Sequence, residues 1–413
     1  MSTDLHAALR EAVASAPYDE SDLRTVIDAG TRRVRRRAAF RVGASALVVA
    51  AVLASVVVVS DRSDPEPRPA RVVHIDLSRA ENQDLDVLAS VRTTWRNPMN
   101  ELDHDRFEGL TTDGLVLRSR YTYDGNVYEL GLLDPETGRT HWLPRPPVAA
   151  ETAVVELTAD RLVLLANLRP SRSDLLMFDR RSETWTSSSI RPPDGIEVHV
   201  PFQLALAPDG RLYLGNNLEH ESGPLQWWSY AVPGGGEGRP EPALAGAAVA
   251  WGDDVRATAD TDGRVVLSSS SGERVVAEER PAGCEPPTAP DRADIPVSLD
   301  LAGRRPVVTY WCGDELRAIT LVYDVDRGEV LQVTGAAVRA ADEDNVLLGA
   351  DRSGRGVYVL DLDRLTLARI SSATPEAQVG LADGLVLWNQ PGPLDDKDVS
   401  DVVWKVARSH LGG

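Results

Sequence analysis

The chain has 413 residues, a formal net charge of −19 at neutral pH and only two cysteines. This length allows one large domain or two ordinary ones beside a short accessory segment. Residues 1–41 carry eight arginines against six acidic residues, so the negative charge is concentrated after residue 41. A surface of that sign repels nucleic acid and anionic head groups, which argues against DNA binding by the large domain.

The first 41 residues contain two short amphipathic patterns. Apolar residues between Leu5 and Ala16 recur at helical spacing and end at Pro17, and a second group begins at Leu23. Two such helices expose more apolar surface than they bury, so one interpretation is docking on a cytoplasmic partner. The other is a membrane-surface helix, or a disordered segment whose arginines only set the topology.

Residues 42–60 contain no charged side chain. As a helix they would be roughly 28 Å long, close to the ~30 Å hydrocarbon thickness of a bilayer. Six arginines precede this segment: Arg32, Arg33, Arg35, Arg36, Arg37 and Arg41. Because cytoplasmic flanks collect basic residues, we predict a single-pass protein of the cell membrane, with its N-terminus in the cytoplasm and residues 61–413 outside.

A cleavable signal peptide and a buried helix of a soluble protein are the alternative interpretations of residues 42–60. A region of 41 residues before the apolar stretch is long for a signal peptide, and a core helix rarely has six arginines at one end. Residues 61–70 are proline-rich and predict a stiff spacer. Ala46, Ala50 and Ala54 form a small-residue stripe that would allow a weak homodimer through the span, but alanine is common in such spans and the stripe alone does not predict one.

Short apolar strands preceded by a turn recur after the spacer. Their starts lie 39 to 53 residues apart, which is typical of propeller blades. The seven segments are DG-LVLRS from Asp113, DR-LVLLA from Asp160, DGR-LYLGN from Asp209, DGR-VVLSS from Asp262, GRRP-VVTYW from Gly303, DN-VLLGA from Asp344 and DG-LVLWN from Asp383.

A second strand and a turn rich in Asp and Gly follow most of these anchors, as in VYELGLLDPETGRTHW. Trp142 and Trp185 fall at matching points, where a large ring would pack between neighbouring sheets. We therefore predict an all-β fold, a β-propeller of seven blades over residues 71–413, with a strand at 71–78 completing the last blade at 377–410. Six or eight blades, and a pair of β-sandwiches, are the alternatives.

Individual residues indicate the function less specifically than the repeat indicates the fold. Cys284 and Cys312 lie 28 residues apart on the predicted outer side and favour a disulfide. We find no catalytic motif, no cofactor motif and no metal site. The cluster from Asp103 to Asp105, which includes His104, could hold a ligand, but a solvated loop is the preferred interpretation. The acidic runs at 341–345 and 395–398 lack the spacing of a calcium loop and indicate turns.

The repeated DG-LVL and LLDPETG patterns resemble those of WD40-like and YVTN-like β-propellers. The near-absence of lysine, with only Lys397 and Lys405, is similar to proteins of actinobacterial genomes. The inner stretch DLRTVIDAGTRRVRRR, followed by one span and an outer propeller, resembles actinobacterial proteins that pair with extracytoplasmic-function sigma factors. That resemblance implies a sigma factor as the partner of residues 1–41. Zinc-binding proteins of that group carry an HxxxCxxC motif, whereas this inner segment has His6 and no cysteine.

These observations favour a membrane-anchored extracytoplasmic binding or sensor protein, acting as an anti-sigma-like regulator through a non-zinc inner segment. Its outer ligand or protein partner is not encoded in a recognisable motif. An extracytoplasmic propeller enzyme, a lyase or hydrolase with its site in the central channel, is one alternative. A passive interaction scaffold is the other.

Overall fold

The computed structural model describes most of the chain after residue 70. The described residues are 71–96, 104–122, 127–148, 152–169, 172–191, 203–216, 225–288, 297–351, 354–373, 379–392 and 399–409. The predicted inner segment, the predicted span at 42–60 and the predicted spacer lie outside these ranges. Within the described ranges, no helix is long and apolar enough to cross a bilayer.

Almost all regular structure is β-strand. The described helices are two short 3₁₀ turns, Leu77–Arg79 and Pro242–Leu244. The first three strands are β1 (Arg71–Ile75), β2 (Glu81–Asn82) and β3 (Val87–Arg96).

The strands from β4 onwards form successive sets of antiparallel neighbours, which we number in chain order. Set 1 contains β4 (His104–Leu110), β5 (Val116–Thr122), β6 (Val127–Asp134) and β7 (Arg139–Trp142). Set 2 contains β8 (Thr152–Leu157), β9 (Arg161–Arg169), β10 (Arg172–Asp179) and β11 (Thr184–Arg191). Set 3 contains β12 (Gln203–Leu206), β13 (Arg211–Asn216), β14 (Gln226–Ala231) and β15 (Gly235–Pro240). The outer strands of sets 2 and 3, β11 and β15, also pair in parallel over two residues, so these two sets share one eight-stranded sheet.

The remaining strands continue this order. Set 4 contains β16 (Ala247–Trp251), β17 (Val255–Asp260), β18 (Val265–Ser269) and β19 (Gly272–Ala277). Set 5 contains β20 (Ser298–Ala302), β21 (Arg305–Cys312), β22 (Arg317–Asp324) and β23 (Glu329–Thr334). Set 6 contains β24 (Ala336–Ala341), β25 (Asn345–Ala350), β26 (Val357–Asp361) and β27 (Thr366–Ser371). Set 7 contains β28 (Gly380–Ala382), β29 (Leu385–Pro391) and β30 (Val399–Arg408), with β3 as its outer strand.

The sets are arranged in a ring. The first strand of each set contacts the first strand of the next, and β28 contacts β4, so the ring closes around a central channel. Apolar clusters lie between neighbouring sets, including Leu132 with Leu164 between sets 1 and 2, and Leu133 with Leu387 between sets 7 and 1. Face-to-face packing of radially arranged sheets is the architecture of a β-propeller.

Asp residues form the predicted turns at the ends of third strands. The Asp134 carboxylate accepts a hydrogen bond from the backbone N–H of Glu136, and the Asp361 carboxylate accepts from Asp363 and Arg364. These carboxylates accept hydrogen bonds from backbone N–H groups that have no partner strand in the turn. Trp185 packs against Phe178, and its indole N–H donates to the carbonyl of Pro144 in the neighbouring set, so its predicted position between sheets is confirmed.

A strand from the N-terminal end of the domain completes set 7, as predicted, but the predicted strand at 71–78 is the wrong one. The strand that completes set 7 is β3, which pairs antiparallel with β30 from Val87 to Arg96. β1 instead pairs in parallel with β23 of set 5, and β2 pairs in parallel with β27 of set 6. β3 is ten residues long and buries Thr93, whereas β1 has five residues, so β3 offers the longer ladder and hides more of the exposed edge.

One anchor strand is also misplaced by the sequence pattern. Six of the seven anchors are second strands of their sets, but the segment after Asp262 is β18, the third strand of set 4. The second strand is β17, which follows a turn at 252–254. Its sequence VRATAD alternates buried Val255, Ala257 and Ala259 with polar residues, so it lacks the continuous apolar run used to recognise the others.

Candidate functional site

A cavity of about 290 Å³ lies on the channel side of the ring, where the first strands of sets 3, 4, 5 and 6 meet. Its wall includes Gln203 from β12, Val249 from β16, Asp300 from β20 and Arg339 from β24. Each of the four strands contributes between one and three residues to this wall. The cavity therefore combines groups that are far apart in sequence.

The Asp300 carboxyl lies in a half-buried position in this wall. Its Oδ1 accepts a hydrogen bond of 2.8 Å from the backbone N–H of Leu301, and the backbone N–H of Ala341 in set 6 also donates to it. Burial raises the pKa of Asp300 to about 6, because the loss of water outweighs these two hydrogen bonds, which lower it. The carboxyl thus changes its protonation near neutral pH.

Arg339 reaches the same cavity from a β-bulge. Val338 pairs with Leu348 and Ala340 pairs with Leu347, so Arg339 is the extra residue of β24. A bulge redirects the side chain of the extra residue. The guanidinium is exposed to water, but the protein around the channel removes part of that water and lowers its pKa. Among the described residues, no carboxylate lies within ion-pair distance of it.

Gln203 fixes the wall between these charged groups and set 3. Its side-chain N–H donates to the carbonyl of Val297 at 3.2 Å, and its Oε1 accepts from the backbone N–H of Val249 at 3.3 Å. The amide therefore joins sets 3, 4 and 5 at the channel. A cavity with one unpaired guanidinium and one carboxyl is suited to binding a small polar molecule, and the carboxyl could also transfer a proton.

Two further cavities lie towards the outside of the ring. One, of about 460 Å³, separates sets 4 and 5 and contains the ion pair of Arg305 and Asp324 at 3.3 Å. The other, of about 570 Å³, lies between the segment after β1 and set 6 and is lined by His74 and Arg364. The channel cavity differs from both because the innermost strands of four sets form its wall.

The disulfide is the predicted site feature that the structure supports directly. Cys284, in the connection after β19, is bonded to Cys312 at the end of β21, with 4.7 Å between the Cα atoms. Arg280 donates to the carbonyls of Cys284 and Trp311, which holds the two bonded segments together. The six topology arginines, Arg32, Arg33, Arg35, Arg36, Arg37 and Arg41, lie outside the described residues.

The acidic clusters have structural partners. Asp105 lies in β4, not in a loop, and its carboxylate pairs with Arg118 at 2.5 Å and with Arg120 at 3.1 Å. Asp342 accepts hydrogen bonds from the backbone N–H groups of Asp344 and Asn345, so that acidic run forms a turn, as predicted. The run at 395–398 lies outside the described ranges. No three His, Cys, Asp or Glu side chains in the described part of the chain are grouped to hold a metal ion.

Asp300 and Arg339 are not recognisable as site residues from the sequence. Neither belongs to a motif, and 39 positions separate them in the chain. The one available signal was their place in the repeat, because both lie on the strand before an anchor, where a propeller lines its channel. The bulge that redirects Arg339 has no mark in the sequence.

Comparisons with known proteins add general similarity of fold. No model of a known protein family matches the chain, and no curated protein matches it. Among solved structures, the β-propeller domain of the Trilobed protease from Pyrococcus furiosus is similar over 74% of this chain and 95% of its own, with 10% identity and a TM-score of 0.44. An oligogalacturonate lyase from Vibrio parahaemolyticus is similar over 78% and 98%, with 11% identity and a TM-score of 0.42. The uncharacterized protein lmo1340 from Listeria monocytogenes EGD-e is similar over 78% and 92%, with 8% identity and a TM-score of 0.43.

Proposed function

We propose that this protein is a membrane-anchored sensor. In this proposal each of the seven sets is one propeller blade, residues 42–60 anchor the propeller outside the cell membrane, and the channel cavity binds a small ligand. Residues 1–41 contact a cytoplasmic partner, which the resemblance of the inner segment suggests is a sigma factor. The uncharged span and the arginines that precede it support the topology.

One observation supports sensing over simple anchoring. Asp300 lies on the innermost strand of set 5, and Arg339 lies on the innermost strand of set 6. The outer edges of these same two sheets carry β1 and β2, which follow the proposed spacer directly. The charged groups of the cavity and the segment nearest the anchor are therefore opposite ends of two continuous sheets.

The packing between these sheets strengthens the link. Val338, the neighbour of Arg339, belongs to the apolar cluster between sets 5 and 6. Val73, Ile75 and Leu77 from the N-terminal segment pack against the same cluster. Closely packed side chains transmit small shifts because the core has no free volume to absorb them.

A mechanism follows from this arrangement. A ligand that contacts Asp300 and Arg339 together favours one spacing of sets 5 and 6, provided that it binds this spacing more tightly than the other. That spacing determines how β1 and the residues after it fit between the two sheets. The altered fit would then reach the spacer and change the packing or the oligomeric state of the anchor.

An enzyme is the second candidate function, and the pKa of Asp300 is the observation that favours it. A carboxyl that titrates at about 6 is suited to general acid–base catalysis near neutral pH. An enzyme of this kind would lose turnover in the Asp300→Asn variant, and the wild-type pH–rate profile would bend near pH 6. A sensor would show altered ligand affinity and no turnover.

The sensor hypothesis is tested by fixing β1 to set 5. His74 and Gln332 are register partners in β1 and β23, so a His74→Cys, Gln332→Cys variant can form a disulfide that holds the segment in place. The matched control is Val266→Cys with Val275→Cys, which joins register partners at the outer edge of set 4, away from the N-terminal segment. Both are made in the full-length protein, purified from its own membranes.

The readout is the amount of sigma factor that copurifies with the full-length protein. We expect the β1 lock to change this amount and the control lock to leave it at the wild-type level. Equal recovery in all three proteins would refute the coupling, and recovery of no sigma factor above background would refute the regulatory role. Topology is tested separately: protease added to intact spheroplasts should digest residues 61–70, and protection of that spacer would show that the orientation is wrong.

A further inference from the structure

We propose that the channel cavity binds a small carboxylate that also carries hydroxyl or ammonium groups, with the carboxylate on Arg339 and the donor groups on Asp300. The inference rests on the proposed function, since it names the ligand class of the same cavity. Two charged side chains and the size of the space between the strands that carry them support this ligand class.

Arg339 supplies the positive charge of the cavity. Its guanidinium enters the cavity from a bulge and has no carboxylate partner among the described residues. Arg180 and Arg118, in contrast, are each paired with a carboxylate, Asp113 and Asp105. A guanidinium presents a planar fork of N–H donors that matches a carboxylate. Its natural complement in a partly desolvated channel is therefore an anionic group of the ligand.

Asp300 supplies hydrogen-bond acceptors in the same cavity. Its Oδ1 already accepts from the backbone N–H of Leu301, and its described hydrogen-bond partners are backbone groups. A carboxylate has about four acceptor positions, so it retains capacity for donors from a ligand. Hydroxyl or ammonium groups would fill that capacity, whereas a second carboxylate at this point would be repelled.

The volume limits the size of the ligand. The cavity measures about 290 Å³. Small-molecule sites measure roughly 300–1,000 Å³, so this cavity lies at the small end of that range. Its size suits a molecule of monosaccharide or amino-acid size.

The experiment is calorimetric titration of the detergent-solubilised full-length protein with four six-carbon probes. D-gluconate and L-norleucine carry a carboxylate with hydroxyl or ammonium donors. Hexanoate carries the carboxylate alone, and D-glucitol carries hydroxyls alone. We expect gluconate or norleucine to bind with a Kd below about 10 mM, hexanoate to bind more weakly and glucitol not to bind.

Three variants locate the binding. Arg339→Gln should weaken binding by about ten- to hundredfold, as expected for hydrogen bonds to a charged group. Asp300→Asn should reduce the advantage of gluconate or norleucine over hexanoate. Arg274→Gln is the matched control, because Arg274 is exposed on β19 outside the cavity, and it should bind as the wild type does.

Two results would overturn the inference. One is that neither gluconate nor norleucine binds at about 10 mM. The other is that Arg339→Gln binds like the wild type, or that Arg274→Gln loses as much affinity as Arg339→Gln. The far-UV circular dichroism and the thermal melt of each variant establish that it is folded. If Arg339→Gln is not folded, Arg339→Lys replaces it. Because the titration requires neither a bilayer nor a partner, its failure is distinguishable from failure of the sensor hypothesis, which the β1 lock measures.

Discussion

The buried ion pair between sets 1 and 2 gives a sharp prediction about stability. Asp113 lies in the turn between β4 and β5, and Arg180 lies after β10 of the neighbouring set. Their side chains are 2% and 1% exposed, and the guanidinium donates to both carboxylate oxygens at 2.8 and 3.0 Å. Arg180 also donates to the carbonyl of Thr158 at 2.7 Å. Asp113→Ala would leave a buried guanidinium without its counter-charge.

Removing one partner of a buried pair costs about 3–5 kcal/mol, a large fraction of the about 5–15 kcal/mol that stabilises a typical domain. The measurement is urea denaturation of the full-length protein in detergent, followed by tryptophan fluorescence. Asp254→Ala is the matched control, because Asp254 occupies the corresponding turn of set 4 but forms an exposed pair with Arg304 at 3.8 Å. Exposed pairs contribute about 0–1 kcal/mol.

A loss below about 1 kcal/mol in Asp113→Ala, or a loss equal to that of Asp254→Ala, would refute this reasoning. The double replacement Asp113→Leu with Arg180→Met provides a further check. The double variant removes both charges and fills the buried site with apolar side chains, so most of the lost stability should return. If the double variant is less stable than Asp113→Ala, the penalty does not come from the unpaired guanidinium.

Three further predictions concern single features. The pKa of Asp300 is raised from 3.8 to about 6 in the folded state, so the folded protein binds this proton more tightly than the unfolded chain does. The contribution of this proton to the free energy of unfolding is therefore full below about pH 4 and is lost as the pH rises through about 6. Asp300→Asn should flatten this part of the curve of stability against pH. Replacing Cys284 and Cys312 by alanine should cost about 3 kcal/mol in urea denaturation, since the bond closes a loop of 28 residues. Glu183 has a φ of 55°, so Glu183→Gly should relieve about 1 kcal/mol of backbone strain and raise the thermal midpoint. Gly138 occupies the same turn position in set 1 with a φ of 70°, so Gly138→Ala should lower the thermal midpoint.

The repeat could be predicted from the sequence because its signals are local. An Asp that ends a strand, such as Asp134 or Asp361, caps its own turn and does not depend on distant contacts. The same chemistry recurs in successive sets, so the period can be read without knowledge of the packing. Set 4 departs from this pattern because β17 is stabilised by buried alanines, which carry a weak strand signal on their own.

The candidate site could not be predicted in the same way. Asp300 and Arg339 meet because the ring places β20 beside β24, and this neighbourhood depends on how all the sets close. The direction of Arg339 depends on a shift of one residue in the pairing of β24 with β25. Such a shift is decided by packing between sheets, and neither residue type nor spacing records it.

The corrected position of β1 leads to a final prediction. If residues 71–78 completed set 7, the proposed anchor would connect to a sheet that contributes none of the described walls of the channel cavity. Because β3 completes set 7, β1 is available to set 5, whose inner strand carries Asp300. Ser90 and Lys405 are register partners in β3 and β30, so a cysteine pair there fixes the closing strand without touching β1. Under the sensor hypothesis, this lock should leave the recovery of the cytoplasmic partner unchanged, whereas the lock between His74 and Gln332 should alter it. An equal effect of both locks would mean that the propeller responds as one rigid body, and that sets 5 and 6 have no special role in coupling.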